Sequence, residues 1–348
     1  MYYQLKLPPF TGGLGWVCLL IVVLSCAGSL DVSAKKRTAP ATRREMLGEM
    51  LDGKSLSGYV PTAFFMHFPA GRGRDAVYYH VRHFCRTGVD LLKIQFEQHQ
   101  PNFKPEKAED WQRIQPLPRD FYAPTVEVVK DVYDIVGQEV MVIPTVYSAF
   151  QTLRMQIGIP SVIRWAKEDP EQVLRALRIY NDALLDFVRD CKALGIDGFF
   201  MPTQGGENIY NEVPGFFETF IRPFDMELMT ECTTGTHCNI LHICDWEGPY
   251  DDLSAFTSYP GEIVNTPNMV GGKAFTPTDA SKLFGRIVLG GLERKGIIVK
   301  GKPEEVTAEV KRVLKSHPKQ FMLGAECTID NKTDIENIRA AVRTAHGK

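Results

Sequence analysis

From Thr42 onward, short apolar runs alternate with longer stretches whose apolar positions recur every three or four residues. Thr42–Leu51 carries Met46, Leu47 and Met50 at helical spacing and stops at Gly53. Further helical patterns cover Asp75–Thr87, Thr125–Ile135, Ser161–Lys167, Pro170–Leu194, Gly215–Thr233, Thr278–Leu283, Pro303–Ser316 and Ile335–Thr344. Strand-like runs fall at Tyr59–Phe65, Val89–Phe96, Glu139–Pro144, Ile196–Met201, Cys238–Ile243, Gly261–Thr266, Arg286–Leu289 and Gln320–Leu323. That makes eight strands, mostly separated by helices, an order that demands parallel pairing through crossovers. An α/β chain of this kind over about 300 residues fits a single (β/α)8 TIM barrel. A doubly wound open sheet is the runner-up. No Gly-x-Gly-x-x-Gly turn follows an early strand, and Gly71-Arg-Gly-Arg lacks the strand–turn–helix setting of a dinucleotide loop.

The first 41 residues break this pattern. Leu7–Leu30 has no charged residue, and its strongest apolar run, Trp16–Leu24, precedes the small residues Ser25, Cys26, Ala27 and Gly28. That order resembles a signal-peptide core and cleavage region, although Lys6 is the only side-chain cation before it. The same stretch is long enough to span a bilayer, with Lys35, Lys36 and Arg37 behind it to hold a following domain on the cytoplasmic side. Residues 1–41 are thus a signal, an anchor with membrane contact, or an appended extension, and residues 42–348 are the barrel.

Composition narrows the chemistry. The chain has 348 residues, 44% hydrophobic and 24% charged, which excludes a wholly disordered or collagen-like protein. A formal charge of -2 offers no global basic field, so no nucleic-acid partner is expected. The eight cysteines are spread through the chain without the spacing of a disulfide framework, which fits reduced thiols or a metal site.

The metal candidate is His242, Cys244 and Cys327. Residues two apart in a strand face the same way. His242 and Cys244 close the run Asn239-Ile-Leu, and Cys327 lies just past the last strand. In a barrel the C-terminal strand ends form the mouth where reactions occur. One imidazole and two thiolates would balance Zn(2+) and leave a coordination position open. The alternative is a core histidine beside inert buried cysteines. His237 and Cys238 precede the same strand and belong toward its other end.

Several further residues follow strand ends. Glu97 and Glu326 are the acidic candidates for catalysis, as a displaceable metal ligand or as acid and base. Glu207 and Asp245 stand in other post-strand loops, Tyr147 and Gln151 could line the pocket wall, and Arg72 could meet a carboxylate of substrate or cofactor. Asp90, early in its strand, reads as structural. No Gly-x-Ser-x-Gly elbow, His-Glu-x-x-His helix or Walker loop is present.

These residues resemble the uroporphyrinogen decarboxylase superfamily, over roughly residues 42–348. The resemblance rests on Phe217-Glu-Thr-Phe-Ile-Arg-Pro-Phe-Asp leading to Leu241-His-Ile-Cys244, on Gly285-Arg-Ile-Val-Leu-Gly-Gly-Leu and Gly301-Lys-Pro-Glu-Glu-Val, and on Gly324-Ala-Glu-Cys-Thr with Asn337-Ile-Arg-Ala. It is nearest to the zinc-dependent methylcobalamin:coenzyme M methyltransferase branch, whose zinc-binding His-x-Cys pair and late Cys map onto His242, Cys244 and Cys327. The decarboxylase pattern fits less well. Its N-terminal arginine loop is matched only in part by Met66–Arg74, Glu97 stands near its aspartate, Gln156 near its tyrosine, and Glu326 at its late histidine. Asp245 replaces the glycine usual after His-x-Cys.

The resemblance implies an enzyme that moves a methyl group from a corrinoid, free or protein-bound, to a small thiol, with a separate corrinoid protein as a partner. Porphyrinogen decarboxylation and non-catalytic binding of corrinoid or metal are the competing expectations. A reduced zinc–thiolate set disfavours export and fits a cytoplasmic or cytoplasmic-facing location.

Overall fold

The computed structural model describes residues 41–347, so the expected signal, anchor or extension in the first 40 residues lies outside the described residues. Eight parallel strands form the centre: β1 (Thr62–Ala63), β2 (Leu91–Ile94), β3 (Met141–Pro144), β4 (Phe200–Thr203), β5 (Ile240–Ile243), β6 (Ile263–Asn265), β7 (Ile287–Leu292) and β8 (Phe321–Ala325). One ladder runs β1-β8-β7-β6-β5-β4 and a second joins β2 to β3. Single backbone bonds bridge the two seams: Val146 N donates to Phe200 O at 2.9 Å, and Asp90 N to Thr62 O at 2.9 Å. The first strand pairs with the last, as a (β/α)8 barrel requires and an open doubly wound sheet does not.

The helices around the barrel are α1 (Arg43–Leu51), α2 (Gly73–Thr87), α3 (Ala123–Val136), α4 (Ala149–Ile157), α5 (Ile159–Glu168), α6 (Pro170–Ala193), α7 (Arg222–Thr233), α8 (Pro277–Phe284), α9 (Ile297–Lys300), α10 (Pro303–Val313) and α11 (Ile335–Ala345). Helices α4 and α9 and a small antiparallel hairpin at 269–274 were not apparent from the hydrophobic pattern. The weakest expected strand, Gly261–Thr266, is present as β6.

Strand alternation divides the core in two. Leu92, Ile94, Leu241, Ile243 and Val288 point outward and pack under the helices. Leu91, Ile143, Phe200, Ile240 and Leu289 fill the barrel interior, where Leu47 and Met50 of α1 join them. Helix α1 starts on a capping box between Thr42 and Glu45. It is tied down by Arg44, whose guanidinium meets both oxygens of Asp197 at 2.6 and 2.8 Å. Asp90 is structural: its buried carboxylate accepts from Thr62 N, Thr62 Oγ1 and the Tyr59 hydroxyl and contacts His346 Nε2 at 2.8 Å, linking β1, β2 and the end of the chain.

Candidate metal centre at the barrel mouth

The inward face of β5 runs Ile240, His242 and then, just past the strand, Cys244. Cys327 arrives two residues after β8. The structure brings the three together: their ligating atoms all lie within 4.8 Å of one another, and all three residues are buried. Cys327 Sγ is 3.5 Å from His242 Nε2. Two donors about 2.0 and 2.3 Å from a tetrahedral zinc would themselves be about 3.5 Å apart, so the spacing suits such an ion. The donor chemistry suits it too. The Cys244 thiol shares its proton with Cys327, and together with nearby His242 holds Cys327 well below the usual thiol range despite burial. The same contact and burial push Cys244 up. His242 stacks on Phe200 at 5.0 Å between centroids, and its Nδ1 is buried without a partner among the described residues.

Neither Glu97 nor Glu326 belongs to this three-residue group. Glu326 accepts a hydrogen bond from Arg294 N at 2.6 Å. Burial outweighs that bond and lifts its carboxyl to about 7. Asp245 pairs with Arg294 Nη1 at 2.5 Å, so Arg294 bridges the loops after β5, β7 and β8. Glu97, in the loop after β2, sits between His67 Nδ1 at 2.9 Å and His99 Nε2 at 3.7 Å. Burial opposes its ionisation, but those two imidazoles win and hold it at about 2. Gly71 makes this possible, because a Cβ there would sit 2.3 Å from Glu97 Cβ. The adjoining Arg72 is exposed at the start of α2.

A second polar cluster flanks the thiols. Gln204 Oε1 accepts from Gln151 Nε2 at 3.1 Å and from Arg154 Nη2 at 2.6 Å, while Arg154 Nη1 meets Glu247 at 2.6 Å. Glu207 is fully buried beside them, and burial lifts its carboxyl to about 7. The Tyr250 hydroxyl donates to Cys244 O at 3.1 Å. Tyr147 packs edge-on to Phe96 at 5.7 Å, and burial next to Glu97 and the two thiols raises its phenol.

Comparison with known proteins decides the lineage. The profile of the uroporphyrinogen decarboxylase (URO-D) family matches residues 91–347, well over half of the chain. The chain belongs to the URO-D family. No curated protein sequence matches it. Among solved structures, a methyltransferase from Methanosarcina mazei superposes with a TM-score of 0.70 at 15% identity, covering 88% of this chain and 98% of that one. At that identity the likeness is one of fold. A B12-independent methionine synthase from Shewanella sp. W3-18-1 superposes with a TM-score of 0.49 at 10% identity, covering 83% of this chain and 94% of that one.

Within this URO-D barrel, three functional candidates escaped sequence reasoning. Arg154 and Arg294 look like ordinary helix and loop cations until their partners, 93 and 49 positions distant, fold beside them. Lys93 did carry a signal: it interrupts the apolar run Leu91-Leu-Lys-Ile94, which predicts a fully buried strand. It is buried in the barrel interior, its ammonium 5.3 Å from the Phe65 ring centroid and 5.0 Å from that of Phe200. Among the described residues, no helix is long and apolar enough to cross a membrane.

Proposed function

We propose that this URO-D family member is a methyltransferase in which His242, Cys244 and Cys327 hold zinc and a corrinoid, free or protein-bound, donates the methyl group to a small thiol. The observation that carries this reading is the meeting of one imidazole and two thiols at the mouth of the barrel. Zinc bound there supplies Lewis acidity that keeps a coordinating thiol deprotonated near neutral pH. The chain does the rest. Phe200 fixes the plane of the His242 ring. Arg294 clamps the loops that carry Cys244 and Cys327 by pairing with Asp245 and Glu326. Glu97, held ionised by its imidazoles, keeps a fixed negative charge in the loop after β2, and buried Glu207 is poised to hold or release a proton near neutral pH. Orientation and exclusion of water at the mouth would supply much of the rate. The transfer would form one sulfur–carbon bond as the donor's cobalt–carbon bond breaks, leaving the electron pair with cobalt, and the proton of the thiol would go to solvent when the thiol ionises.

Decarboxylation of a tetrapyrrole would need cations free to bind several carboxylates. Of the arginines packed beside the candidate metal set, Arg154 and Arg294 are already committed to Glu247 and Asp245, which favours the methyl-transfer reading; exposed Arg72 is one cation against several carboxylates.

A metal assay tests the proposal. The purified protein should carry stoichiometric zinc, lost in Cys244→Ala and Cys327→Ala. It should also methylate a thiol from methylcobalamin. Full zinc occupancy in both variants would sink the site. Binding of both substrates without turnover would leave a sequestering protein, and decarboxylated porphyrinogen as a product would overturn the reading.

A further inference from the structure

A lysine inside the apolar interior of a barrel carries a desolvation cost that something must offset. Lys93 is on the inward face of β2, with the apolar Leu91 two residues before it on that face. Its ammonium has no hydrogen bond or ion pair with any described residue and rests against the rings of Phe65 and Phe200. Phe200 is also the ring on which His242 stacks. A single aromatic side chain therefore touches both the buried cation and the imidazole of the candidate metal set.

Charge bookkeeping at the mouth gives this cation a purpose. A divalent metal with two thiolates and a neutral imidazole is uncharged overall. A thiolate ligand added at the open position leaves a net negative charge in a buried site, which low-dielectric surroundings penalise. Arg294 and Arg154 are occupied by Asp245 and Glu247 and can respond only by giving up those partners. Lys93 has no carboxylate to release.

We propose that Lys93 is a positioning residue, the internal counter-cation that stabilises an anionic sulfur ligand on the His242–Cys244–Cys327 set. The assignment rests on the zinc–thiol reading above and adds to it the residue that selects a thiolate over a neutral sulfur. It agrees with the electrostatics of the side chain. Burial lowers the Lys93 ammonium to about 8, while the fields of Cys327, Glu97 and Cys244 pull it back up, so it remains mostly charged at neutral pH.

The test loads wild type, Lys93→Met and Lys93→Arg with Co(2+), a visible-absorbing substitute for zinc, and titrates each with two probes. One is 2-mercaptoethanol, which binds as a thiolate; the other is 2-(methylthio)ethanol, which stays neutral. All three proteins should take up stoichiometric cobalt. Lys93→Met should weaken 2-mercaptoethanol binding at least about tenfold and leave the thioether affinity unchanged, and Lys93→Arg should recover most of the loss. Methionine suits the aromatic surroundings, so the melting temperature of Lys93→Met should equal or exceed that of wild type. Equal thiol affinity in wild type and Lys93→Met, with metal bound in both, overturns the role of Lys93 and spares the metal site. Parallel loss of both ligands, or loss of cobalt from Lys93→Met alone, makes Lys93 structural and overturns the proposal. Failure of wild type to bind cobalt overturns the zinc reading and this proposal with it.

Discussion

Asp225 shows how a single buried group sets a pH dependence in this barrel. It lies in the first turn of α7 and accepts a hydrogen bond from Thr203 Oγ1 at 2.5 Å, at the end of β4, while its Oδ1 has no partner among the described residues. Burial pushes its carboxyl up to about 7, against the hydrogen bond of Thr203. An unfolded aspartate titrates near 3.9. The folded state therefore holds the proton more tightly, and the associated stability is fully present below about 3.9 and lost as pH rises through about 7. Asp225→Asn should remove that decline and raise stability at pH 8 by about 4 kcal/mol. Thermal melts of both proteins at pH 5 and pH 8 check this: an equal fall in the two would place the titrating group elsewhere. At this scale the sequence was informative where a residue's role follows from its register. His242 and Cys244 share a face because they are two apart, and Cys327 follows an apolar run, so their convergence was legible. The Asp245 partner of Arg294 and the His67 partner of Glu97 were not, because they arrive from loops after different strands and no periodicity links them.

Elements were legible wherever one face differed from the other. Helices α2, α3 and α6 carry their apolar residues at helical spacing, and all eight strands stand out as short apolar runs. Helix α4 is short, and although Phe150, Leu153 and Ile157 recur at helical spacing, its polar residues Gln151, Thr152 and Gln156 are buried too, which the pattern does not foretell. Helix α1 is the element whose role only the fold reveals. Its apolar positions were plain, but its place, with Leu47 and Met50 packed into the barrel interior, depends on the Arg44–Asp197 pair formed across 153 positions. Leu47 is completely buried there. Leu47→Ala should cost about 2–5 kcal/mol by opening a cavity between α1 and the strands. Urea unfolding monitored by circular dichroism checks the size of the loss. A change under about 0.5 kcal/mol would mean that α1 is not a working part of the core.

At the scale of the molecule, the separation between core and mouth makes its own prediction. The interior is filled by Phe65, Ile143, Ile240, Leu289 and their neighbours, and the helices complete a second apolar layer outside. His242, Cys244 and Cys327 stand at the C-terminal strand ends, above that filling rather than within it. A small domain folded around zinc owes its core to the ion, and chelation unfolds it. This barrel owes its core to side chains present without metal. Removing metal with a chelator should therefore leave the far-ultraviolet circular dichroism unchanged. It should lower the stability, and the melting temperature with it, only by the mass-action contribution of binding, about 2.7 kcal/mol when free zinc is a hundred times its dissociation constant. The loss should be absent in Cys244→Ala and Cys327→Ala, and restored in wild type by added zinc. Cooperative unfolding on chelation would contradict this division, because it would make the three ligands part of what folds the barrel and not only of what it holds at its mouth.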